Sequence, residues 1–179
     1  MAIETINTKD YNNDLEIKDS LNRVKAIDSS GNDILVSPGV VANSGGCGTY
    51  RSSSNILYGK WYRIAVGNVG NASNAVLLMV GNYYNNEAPH SQLYYISADG
   101  YSGMPSIVQL ANSGRVISKA RILYKPSTTE GPIIEIFVIA SHSNKFVFSY
   151  SCNMNFTFQD PIEVSETPVS GYTVKEFVF

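Results

Sequence analysis

The residue types that could carry catalysis are few and poorly arranged. His90 and His142 are the only histidines, and each sits beside Ser and Asn in a turn-like segment. A Ser-His-Asp triad needs a nucleophile held against a base. The best placed serine, Ser102 in Gly100-Tyr101-Ser102-Gly103, lacks the second spaced glycine of a nucleophile elbow. Cys47 lies in Gly45-Gly46-Cys47-Gly48, which supplies no electropositive pocket to activate a thiolate. That stretch also lacks the Gly-Lys-Ser/Thr of a phosphate loop. Asp28-Ser29-Ser30-Gly31-Asn32-Asp33 has neither the acidic spacing nor the terminal Glu of a calcium loop, and reads as a hairpin turn. Between Lys60 and Phe158 the acids are Glu87, Asp99, Glu130 and Glu135, and no two stand out as a glycosidase pair. The expectation is a protein that is not an enzyme and holds no metal or cofactor.

Two loops fit recognition better than catalysis. Tyr83-Tyr84-Asn85-Asn86-Glu87-Ala88-Pro89-His90 and Tyr101-Ser102-Gly103-Met104 are rich in Tyr, Asn and Gly. Tyr offers rigid stacking area and Asn offers adaptable hydrogen bonds. The candidate ligand-binding residues are therefore Tyr83, Tyr84, Asn85, Asn86, His90 and Tyr101. The competing reading places these tyrosines in the core or at a subunit interface.

The elements that must position these loops read as strands. From Phe146 to Phe158 every even residue is apolar or aromatic, and every odd residue except Val147 is polar. This period of two gives a strand with one buried face. The run exceeds a typical strand, so it predicts one long bent strand or a hairpin with an odd-numbered loop near 152–155. Further strands are expected at 60–66, 75–84, 92–98, 106–111, 115–125, 133–141 and 173–179, separated by Gly, Asn and Pro turns. Ala75–Val80 has no polar residue, and Ile133–Ala140 has only Glu135. Strands apolar on both faces are covered on both sides, by another subunit or by a loop. The apolar end Phe177-Val178-Phe179 is expected to dock.

Composition bounds the rest. Thirteen Lys+Arg against fifteen Asp+Glu leave no basic face for nucleic acid. No apolar run approaches the ~20 residues of a membrane span, so a soluble protein without membrane insertion is expected. Cys47 and Cys152 read as two reduced thiols. Residues 1–22 are polar and weakly patterned. Arg23–Asp28 and Asp33–Ser37 then form a hairpin too small to be stable alone. Residues 38–55, rich in Gly and Ser, read as a flexible linker. The organisation expected is an arm with a hairpin at 1–37, a linker at 38–55 and an all-β, jelly-roll-like antiparallel sandwich at 56–179.

Several segments in order carry a resemblance. They are Arg23-Val24-Lys25-Ala26-Ile27-Asp28-Ser29-Ser30-Gly31-Asn32, Gly59-Lys60-Trp61-Tyr62-Arg63-Ile64-Ala65, Ile117-Ser118-Lys119-Ala120-Arg121-Ile122-Leu123-Tyr124-Lys125 and Ile134-Glu135-Ile136-Phe137 with the aromatic run at Phe146. This order resembles the fibre and decoration proteins of tailed bacteriophages. The resemblance implies a homotrimeric virion protein, made in the host cytoplasm. Residues 1–37 would dock on the capsid or another virion protein, and a C-terminal knob would bind host surface glycans or decorate the particle. The lack of a long shaft favours a short head fibre over a long tail fibre. The rival readings are a stand-alone carbohydrate-binding module and a virion esterase or glycosidase.

Overall fold

A computed structural model describes residues 23–69, 72–82, 90–99, 103–126, 129–139 and 144–179. The chain divides into two units between Val41 and Ala42. In the first, β1 (Val24–Ile27) and β2 (Asp33–Val36) form an antiparallel hairpin. The Asp28 carboxylate closes its turn by accepting the Ser30 and Asn32 N–H groups at 2.9 and 2.8 Å. Gly31 takes the left-handed conformation that the turn requires, at φ +85°. This hairpin leaves Ile27, Ile34 and Leu35 exposed.

Residues 38–55 differ from the linker expected of them. Helix α1 (Pro38–Ser44) is followed directly by strand β3 (Gly48–Ile56). The helix ends at Gly46, whose φ of +74° supplies the usual left-handed stop. Serines and glycines concealed β3 because its ladder bonds come from the backbone, while its inward residues, Tyr50, Ser52 and Ile56, are few and partly polar.

The second unit is a sandwich of two antiparallel sheets. It uses β3 with β4 (Lys60–Gly67), β5 (Ser73–Asn82), β6 (His90–Asp99), β7 (Gly103–Asn112), β8 (Ile117–Tyr124), β9 (Ile133–Val138), β10 (Asn144–Met154), β11 (Phe156–Val164) and β12 (Thr173–Val178). The front sheet runs β3-β10-β5-β6-β7 and the back sheet runs β11-β4-β9-β8-β12. The β3–β4 and β10–β11 pairs lie side by side, each passing from front to back. That doubled crossing is the jelly-roll-like feature of the fold.

The alternating run at 146–158 is neither a single-sheet strand nor a hairpin. It is β10 and β11, one in each sheet, joined at a corner on Asn155. Cys152 and Asn155 have φ of +51° and +68° there, which bends the chain. The bend also turns Cys152 and Met154 out to solvent, so they leave the apolar face to which their parity assigned them. Phe146, Phe148 and Tyr150 on one sheet instead meet Phe156 and Phe158 on the other. Tyr150 and Phe158 stack at 4.3 Å, and Phe148 lies 5.6 Å from Phe158. Tyr50 from β3 stacks on Phe148 at 5.1 Å and donates its hydroxyl to the Phe158 carbonyl at 2.9 Å.

Polar groups tie the sheets where apolar ones cannot. Gln92 on β6 is fully buried, yet its amide is bonded at both its oxygen and its nitrogen. Its oxygen accepts the Val116 and Ile117 N–H groups at 2.8 Å each, and its NH2 donates to the Ile117 carbonyl at 3.1 Å. The chain end docks as its composition predicts, with the Phe179 ring 4.7 Å from that of Tyr94. Phe148 has no exposed surface and packs at the centre of the corner. Phe148→Ala is expected to cost about 3–5 kcal/mol, the usual penalty for a truncated core aromatic, read as a lower urea midpoint with an unchanged m-value.

Candidate functional site

The two faces that point away from the core differ in chemistry. On the back sheet, three charged residues stand in register across adjacent strands: Arg63 on β4, Glu135 on β9 and Arg121 on β8. Glu135 is 1% exposed and Arg121 2%. Arg63 donates through Nε and Nη2 to one Glu135 oxygen at 3.1 and 2.9 Å. Arg121 donates through Nε to the other at 2.7 Å. Such burial is tolerable only because the carboxylate is bonded at both oxygens. The remaining nitrogens of Arg121 donate to the carbonyls of Glu166 and Ser165 at 2.6 and 2.8 Å, and its guanidinium lies 4.2 Å above the Trp61 ring.

Those two carbonyls begin the segment 165–172, here called the strap. Strands β11 and β12 are at opposite edges of the back sheet, so the chain between them must cross its outer face. Arg121 pins the start of the crossing. Tyr172 pins its end by donating to Glu130 at 2.7 Å and lying under the Lys125 ammonium at 4.5 Å. The apolar outer face of β9 is thus covered by a loop, one of the two covers that its sequence allowed.

Beside the strap lies a cleft of about 470 Å³. Its floor is Trp61 and Phe137, tilted against each other at 5.4 Å. Its walls are Val164, Ser165 and Glu166, and its rim carries an ion pair between Lys60 and Glu163 at 3.0 Å. Among the described residues the front sheet has no such cover. Leu77, Tyr95 and Val108 form one outward row across β5, β6 and β7, and Met79, Leu93 and Ala111 form the next. Ser149 and Ser151 on β10 extend these rows. Met79, Tyr95, Val108, Leu110 and Met154 are between 42% and 53% exposed. Among the described side chains, charges stand only at the margins, with Arg51 on the edge strand β3 and Asp99 at the end of β6.

Of the residues singled out from sequence, Tyr83, Tyr84, Asn85, Asn86 and Tyr101 lie outside the described residues, as do Ser102, Glu87 and His142. His90 opens β6 with its ring against Gly114, where an added Cβ would come within 2.7 Å of the imidazole. Glu130 is bonded to Lys125 and Tyr172. Ser53 donates its hydroxyl and its N–H to Asp160. Among the described residues no three His, Cys, Asp or Glu side chains group as metal ligands. Sequence reading passed over the Trp61 cleft, although Gly59-Lys60-Trp61 held the chain's sole tryptophan. No family model, curated protein or solved structure matches this chain.

Two outcomes test the strap. Arg121→Met leaves the buried Glu135 with a single partner, and is expected to destabilise the fold by about 3–5 kcal/mol in chemical denaturation. The second concerns pH. Burial, then the bond to Glu130, pushes the Tyr172 phenol up from 10.0 to about 12. Burial also raises Tyr94 and Tyr150. The folded chain therefore holds protons that the unfolded chain has lost, and stability falls as pH rises through that window. The melting temperature should begin to drop near pH 10, and Tyr172→Phe should make the drop shallower.

Proposed function

We propose that this chain is a non-catalytic structural and attachment protein of a phage particle, of the short-fibre or decoration type, and that it works as a homotrimer. In this reading residues 1–37 anchor the protein to the capsid or another virion protein. The sandwich projects as a knob that meets host surface glycans. The observation that carries the proposal is the apolar outer face of the front sheet, which among the described residues is uncovered and carries charge only at its margins. An apolar sheet face of this extent is uncommon on a protein that works alone.

Its size suits the role. Strand β5 runs for ten residues. At ~3.4 Å per residue and ~4.8 Å between strands, the five-stranded face measures on the order of 700 Å², of which the three apolar strands supply roughly 500 Å², against ~800 Å² per partner of a stable interface. A face without charge is also compatible with its own copies, since nothing in it repels itself. The hairpin β1–β2 supports the anchoring role. A two-stranded hairpin with exposed Ile27 and Leu35 gains stability by seating on a partner.

Light scattering on the purified chain is expected to give three times the monomer mass, and a monomer at micromolar concentration would remove the proposal. Introducing charge at the centre of the face with Leu77→Glu and Tyr95→Lys should dissociate the assembly while leaving the circular dichroism of the sandwich unchanged. A trimer that survives both changes would place the interface elsewhere.

A further inference from the structure

We infer that the cleft over Trp61 and Phe137 binds a neutral saccharide. The inference deepens the attachment reading, on which it rests, by naming a place and a chemical class for the ligand. The lining decides the class by elimination. An anion would face two carboxylates, Glu163 and Glu166, with one cation, Lys60, already paired to Glu163 at 3.0 Å. A cation would seek the π-face of Trp61, but the Arg121 guanidinium occupies that face at 4.2 Å. A wholly apolar ligand would strip water from three charged side chains and give nothing back.

What remains is an uncharged molecule with one flat apolar face and several hydroxyls. A pyranose ring has that form. Its C–H face suits the Phe137 ring, which is half-buried and tilted 58° from Trp61. Its hydroxyls can donate to Glu163 and Glu166 and accept from Lys60. The volume of about 470 Å³ holds one or two sugar rings.

The floor is also well fixed. Trp61 is 4% exposed and is clamped by Arg121, which the Glu135 carboxylate holds in turn. The cleft lies on the outer side of the back sheet, whereas the proposed subunit interface lies on the outer side of the front sheet. Assembly through the front sheet therefore leaves it open.

Trp61 is the only tryptophan in the chain, so its emission reports on this cleft alone. The experiment titrates the full-length protein with a panel of neutral mono- and disaccharides built from glucose, galactose and N-acetylglucosamine. Choline and glucuronate serve as charged probes. At least one neutral saccharide is expected to shift Trp61 emission saturably in the millimolar range. Phe137→Ala should weaken that binding about tenfold or more. Lys60→Ala, at an exposed rim position that the fold does not need, should weaken it with the circular dichroism unchanged. A panel with no saturable response would overturn the inference, as would a response to choline or glucuronate alone. Equal affinity in both variants would overturn it too. A monomer in light scattering would remove the assembly reading and leave this titration intact, so the two fail separately.

Discussion

Arg121 lies between the Trp61 ring and the Glu135 carboxylate, and its outer nitrogens hold the carbonyls of Ser165 and Glu166. A guanidinium with no water needs every N–H directed at an acceptor. Satisfying it fixes three things together. Glu135 is held between two arginines, Trp61 keeps one orientation, and the strap begins its crossing at a set point. The topology makes the crossing unavoidable, because β11 and β12 sit at opposite edges of the back sheet. The arginine makes it close. The back of the sandwich is consequently finished by the chain itself, with polar groups paired inside.

Among the described residues the front of the sandwich has no equivalent. Strands β5, β6 and β7 are consecutive antiparallel neighbours, so the topology requires no crossing of its outer face between them. The residues placed there, Leu77, Met79, Leu93, Tyr95 and Val108, are of a kind that a solvated face rarely collects in adjacent rows. The asymmetry between the sides is what gives the fold a functional reading. One side closes on itself and keeps a polar-rimmed cleft; the other is apolar and, among the described residues, uncovered.

The sandwich class was legible because period-two patterning survives in the pair β10–β11, while β5 and β9 read as strands that are apolar on both faces. The corner was half legible. Parity predicted that Phe146, Phe148, Phe156 and Phe158 share a core. It could not register that a bulge at Cys152 and a bend at Asn155 hand the second half to another sheet. Strand β3 was hidden by polar composition, since backbone pairing leaves no pattern in Gly48-Thr49-Tyr50-Arg51-Ser52-Ser53. Glu135 was visible as an interruption of an apolar run and as one of the four acids between Lys60 and Phe158, and nothing in the sequence paired it with Arg121. Their pairing is set by the register of β8 on β9, over fourteen positions of sequence. The cleft was illegible for the same reason: Trp61, Phe137 and Glu166 come from three distant segments brought together by strand order.

The charged trio, two of its members buried, also bears on why the site would be rigid. Apolar residues in the places of Arg63, Glu135 and Arg121 could serve stability as well or better, because desolvating charges is costly. Charged groups add direction. A leucine at position 121 would pack against Trp61 in several rotamers and would leave the Ser165 and Glu166 carbonyls to water. The guanidinium admits one arrangement, in which the strap, the indole and the carboxylate are mutually fixed. A shallow cleft gains from that, because a ligand bound by a few rings and hydroxyls cannot also supply the cost of ordering its site. The charges are therefore best understood as positioning the cleft floor, with the aromatic corner at Phe148 and Phe158 carrying the stability that holds the two sheets together.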